Sequence, residues 1–85
     1  MAAVIRVEVA DVPTADVIHR FRNFGEDVCR VLRERCAIDI QEIESSTTSF
    51  LIREIRNSEV GVVREVVERE LRRHNFAKTS KLVRL

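Results

Sequence analysis

AVIRVEVADVPTADVIHRFRNFGEDVCRVLRER, residues 3–35, carries two hydrophobic rhythms in succession, and the change from one to the other decides the fold. Over residues 3–10, Ile5, Val7 and Val9 fall on one face and Val4, Arg6 and Glu8 on the other, the period-2 pattern of a half-buried strand. Pro13 ends it, because proline has no N–H to donate to a ladder. The period then lengthens. Val17, Phe21, Phe24, Val28, Val31 and Arg35 are spaced four, three, four, three, four, and all but the last lay an apolar ridge along one side of a helix. At a rise of about 1.5 Å per residue that helix runs roughly 30 Å, and Thr14 or Asp16 can cap its start. Gly25 is its weak point, costing up to about 1 kcal/mol against Ala and allowing a kink or a break.

Working outward, residues 37–44 place Ile38 and Ile40 against Asp39 and Gln41, and a polar turn at 45–48 leads into Ser49, Phe50, Leu51, Ile52 and Arg53, which predicts a hairpin. Asn57 or Ser58 can cap a second helix with Val60, Val63, Val67, Leu71 and His74 on one side and Glu65, Glu68, Arg69 and Arg72 on the other. Glu65 with Arg69 and Glu68 with Arg72 are i,i+4 pairs worth a few tenths of a kcal/mol each. Asn75 suits a left-handed cap with Phe76 folding back on Leu71, and residues 81–85 form a short last strand.

This order predicts one α+β domain over residues 1–85, a two-layer sandwich of a four-stranded antiparallel sheet with both helices on one face. With the last strand beside the first, it resembles the βαββαβ ferredoxin-like architecture. A break at Gly25 would give βααββα instead, which is similar in order to KH domains. Those need a GxxG loop, whereas Gly25 is followed by Glu26, Asp27 and Val28.

Composition narrows the function. With 45% apolar and 34% charged residues, two Gly and one Pro, the chain is neither disordered nor a many-stranded barrel. Fifteen basic against fourteen acidic residues give a net charge of +1, so a nucleic-acid or anionic-membrane site would have to be a local patch. All the cations but Lys78 and Lys81 are Arg, a bias that a GC-rich genome also produces. Cys29 and Cys36, seven residues apart, form neither a CxxC unit nor a disulfide framework, which fits a reducing compartment. The alternating charges of residues 1–10 give no leader pattern and no run reaches a membrane span, so the expected location is cytoplasmic and no membrane is expected as a partner.

Four features are candidate sites. The uncovered sheet face should carry Val4, Arg6, Glu8, Asp39, Gln41, Leu51 and Arg53, with cross-strand pairs such as Glu8 with Arg53. Leu51 and Val4 are apolar there, as in a face that pairs with another; an RNA-recognition motif would show stacking aromatics, and Phe50 points inward. The outer side of the first helix carries His19, Arg22, Glu26, Arg30 and Arg33, a basic stripe that together with Arg53 and Arg56 could follow a phosphate backbone, although such stripes are most often solvated. Glu70 and His74 stand i,i+4, a spacing open to a proton relay or two metal ligands; a metal needs a further ligand, and a helix C-terminus favours His there on its own account. Cys29, with Arg22, Arg30 and Arg33 in reach to lower its pKa, reads as a small residue on a helix flank.

No nucleophile motif, phosphate loop or paired-carboxylate motif is visible, and the loop 10–14 lacks both the Cys pair of metal chaperones and the Arg-bearing glycine loop of acylphosphatases, two families of similar topology. No catalytic, cofactor-binding or metal-binding residue is assigned. The expected function is a non-enzymatic interaction or regulatory module that pairs with a second copy or another protein through the open sheet face or an edge strand. Nucleic-acid binding through the arginines is the second expectation. A third is small-ligand binding, because the topology is similar to that of ACT regulatory domains; Gly61 is its one supporting residue.

Overall fold

In the computed structural model, which describes residues 2–36 and 48–85, the first rhythm is a strand, β1 (Ala3–Val9), and the second an unbroken helix, α1 (Ala15–Cys36). Ala3, Ile5, Val7 and Val9 are buried, as the alternation requires. Thr14 caps α1: its Oγ1 accepts the Val17 N–H at 3.2 Å and its carbonyl accepts the Ile18 N–H at 2.9 Å.

α1 runs through Gly25 without the break that the glycine would allow, so the βααββα alternative falls. Phe21 and Phe24 before the glycine and Val28 and Leu32 after it all enter one core, and burying each stabilises by about 1.5–3 kcal/mol, more than glycine costs. The ridge ends on Leu32 rather than on Val31 and Arg35.

β2 (Ser49–Ile55) runs antiparallel to β1, pairing Phe50 with Val7, Ile52 with Ile5 and Ile55 with Ala3. Three residues of β2 therefore span two of β1, a bulge at Arg53 and Glu54, and Glu54 takes the left-handed φ of 56°. α2 (Val60–Arg73) is entered through a single 3-10 turn at Asn57–Glu59, without the side-chain cap expected from Asn57 or Ser58. The Asn57 Oδ1 instead accepts the Arg84 Nη2 at 3.3 Å.

α2 ends as its sequence predicts. Asn75 has φ 62°, the Phe76 N–H donates to the Leu71 carbonyl at 2.7 Å, and the Asn75 N–H donates to the Arg72 carbonyl at 3.2 Å. These are the two bonds of a Schellman terminus. The chain then forms β3 (Ser80–Arg84), antiparallel to β1, with Leu82 opposite Val7 and Val83 opposite Arg6.

Among the described residues the sheet order is β2-β1-β3, three strands where four were expected for the chain. The strand expected over 37–44, and its hairpin with 49–53, lie outside the described residues. The last strand does pair beside the first, which makes β1 central. The inward residues of β1 and β2 and the ridges of both helices share one core, in which all four phenylalanines of the chain meet. Phe21, Phe24 and Phe50 lie 5.5–5.6 Å apart, and Phe76 stands 5.9 Å from Phe21 and 6.1 Å from Phe24. Tilted and edge-on pairs of this kind add about 0.5–1.5 kcal/mol beyond the area they bury. Among the described residues no helix is long and apolar enough to cross a membrane.

Candidate functional site

Strand pairing fixes what the outward side of the sheet presents. Leu51 of β2, Arg6 of β1 and Val83 of β3 lie in one row across the three strands, and Ser49, Glu8 and Lys81 form the next. Val4, Glu8, Leu51 and Val83 are half-buried, while Arg6 and Arg53 are exposed. Five of the seven residues expected on this face are thus on its strands; Asp39 and Gln41 lie outside the described residues. Glu8 faces Ser49 and Lys81 in the ladder, not Arg53 as expected, because the antiparallel register sets Arg6 opposite Leu51 and so puts Arg53 towards the start of β1. Val83 and Lys81 belong to the same surface and were missed, although the alternation of residues 81–85 could have assigned them.

The arginine stripe is partly occupied with its own helix. Arg30 Nη2 lies 3.2 Å from Asp27 Oδ1, and His19 lies against Asn23 at 3.4 Å, while Arg22 and Arg33 are exposed. Arg56 sits 3.9 Å from Glu59. Gly61 is exposed with nothing within 4 Å of where a Cβ would stand, so no close approach at that turn requires a glycine.

The Cys29 thiol departs from expectation. Burial pushes it above the ordinary thiol value and outweighs the lowering pull of Arg33. The Cys36 thiol is likewise raised, by burial and then by the nearby Glu59 carboxylate. Both cysteines are free.

A second constellation lies between the helices, which run antiparallel. Near the C-terminus of α2, His74 Nε2 is 2.9 Å from Asp27 Oδ2 on α1 and 3.8 Å from Glu70 Oε2 one turn back on its own helix. Glu70 is 3% exposed, the one charged side chain in the buried set among the described residues. Each carboxylate also meets an arginine: Arg30 lies 3.2 Å from Asp27 Oδ1, and Arg73 Nη1 lies 3.3 Å from Glu70 Oε1 and 3.5 Å from its Oε2. The His74 ring stands edge-on to Phe24 at 6.0 Å, and its carbonyl accepts Arg20 Nη1 at 3.0 Å. Arg20 in turn lies 4.7 Å above the Phe76 ring, so the end of α2 is fastened to α1 by a hydrogen bond, a cation–π contact and the carboxylate–imidazole pair. The Glu70–His74 spacing was legible in the sequence; Asp27, the third member, was not. Its only signal is its place three residues after Phe24, on the flank of the apolar ridge.

Compared with protein families, curated proteins and solved structures, the chain matches none.

Proposed function

We propose that the domain is a non-enzymatic interaction module that pairs with a second copy of itself through the outward side of its sheet. The observation that supports this most is the row Leu51, Arg6, Val83, which puts an aliphatic residue on each side of the central strand where a merely solvated face would be polar. Charge supports the choice of a second copy. β1 carries Arg6 and Glu8 outward two residues apart, so two such faces related by a two-fold axis, with their β1 strands antiparallel, set Arg6 against the partner's Glu8 and Glu8 against the partner's Arg6.

Light scattering across a dilution series tests this directly. A mass that doubles with concentration, and reverts to that of the monomer in Leu51→Glu and Val83→Glu variants with unchanged circular dichroism, is the expected result. A strict monomer at every concentration removes the proposal. Filter binding of RNA and DNA at low and moderate salt, run alongside, would move the reading to the arginines if nucleic acid were retained by a monomer.

A further inference from the structure

We infer that Asp27, Glu70 and His74 form a binding site for one divalent first-row transition cation, of which Zn²⁺ is the best match, clamping the C-terminal end of α2 to the middle of α1. The donor atoms lie within 4.8 Å of one another, and two of the three separations are 2.9 and 3.8 Å. A cation with bonds of about 2.0–2.2 Å sets neighbouring ligands roughly 3.0–3.6 Å apart, so the His74 separations already match to within a few tenths of an ångström and the two carboxylates draw together from at most 4.8 Å.

The donor chemistry is selective. One imidazole nitrogen and two carboxylate oxygens suit Zn²⁺, Co²⁺ and Mn²⁺ better than the all-oxygen shell that Ca²⁺ and Mg²⁺ prefer. Three protein ligands leave the fourth position to water.

The surroundings orient the ligands. Arg30 holds Asp27 Oδ1 and leaves Oδ2 turned to His74 Nε2, while Arg73 Nη1 is shared between Glu70 Oε1 at 3.3 Å and, more loosely at 3.5 Å, the Oε2 that faces His74. Those guanidiniums repel a cation, but their side chains are 58% and 64% exposed and water screens them. The carboxylates are nearer and more deeply buried, so attraction prevails at the convergence point. A cation held there takes the Nε2 lone pair and Asp27 Oδ2 as ligands, so it replaces the 2.9 Å contact that now joins these two atoms.

Isothermal titration of chelator-treated protein with ZnCl₂, and with CoCl₂ for its visible absorption, tests the site. Expected is one equivalent bound, a raised melting temperature, and a loss of affinity of about tenfold to a hundredfold in Asp27→Asn and in His74→Gln, with His19→Gln and the Cys29→Ser/Cys36→Ser double variant binding as the parent does. Asp27→Asn lies on a part-exposed flank of α1 and keeps the test decisive if His74→Gln fails to fold. No heat and no spectral change with either ion overturns the inference. So does binding that survives Asp27→Asn or disappears with the cysteines. Because the cluster lies between the helices and the proposed pairing surface on the far side of the sheet, the two proposals stand or fall separately.

Discussion

Ile52 and Ile55 are three residues apart on one strand, yet both are buried and both pair with β1, because Glu54 between them adopts a left-handed backbone. Without the bulge, strand alternation would turn Ile55 to the opposite face. The left-handed region costs a residue with a Cβ about 1 kcal/mol and a glycine almost nothing. Glu54→Gly is therefore expected to raise the stability by a few tenths to about 1 kcal/mol, and Glu54→Val to lower it by 1 kcal/mol or more. Urea denaturation of the two variants reads both signs; equal stabilities would show that the bulge sets no preference for glycine.

Gly25 invites the opposite exchange. Its surroundings leave a Cβ 3.9 Å from the nearest side-chain atom, Phe50 Cε1, an ordinary contact, and the helix runs through it. Gly25→Ala should add about 0.5–1 kcal/mol. A loss of stability in thermal or urea unfolding would mean that α1 needs flexibility there.

The end of α2 depends on one ring. Phe76 is fully buried, meets two other phenylalanines and holds the Schellman terminus through its N–H. Phe76→Ala should cost about 3–5 kcal/mol, a large part of the roughly 5–15 kcal/mol that holds a domain together. Asn75→Gly, which keeps the left-handed turn, should be near neutral. Calorimetry of the pair separates the ring from the turn.

The thiols make stability depend on alkaline pH. Because Cys29 and Cys36 both hold their protons more tightly in the folded chain, the unfolded chain binds fewer protons as pH passes the ordinary thiol value of about 8.5. Their contribution is complete below that pH and is lost as pH rises through the raised folded values. Denaturation midpoints at pH 7 and pH 10 should differ more in the parent than in a Cys29→Ser/Cys36→Ser variant, and alkylation of folded Cys29 should lag that of a free thiol. Equal pH slopes in parent and variant would contradict this.

What could be read from the chain follows the range of the forces involved. β1, α1 and the Asn75–Phe76 terminus were legible because each is fixed by residues within one or two turns of itself. Ile55 was not, since no glycine or proline marks the bulge that reorients it. Leu32 and Val66 were left out because one apolar residue per turn was read for each helix, whereas the buried face is wider than that single row. Asp27 meets His74 only after the helices pack, across 47 positions of sequence, and local periodicity contains nothing of that distance.

The central position of β1 has a consequence for how the molecule is assembled in time. The strand in the middle is synthesised before both of its neighbours, Ser49–Ile55 and Ser80–Arg84. Every rung of the sheet closes a long loop, so pairing is slow beside helix formation, and β1 waits with an apolar face and a bare edge. A ribosome that stalls before Ser80 thus holds a chain able to coil its helices but offering an unpaired strand edge to its neighbours, and the sheet closes only after Ser80–Arg84 has emerged.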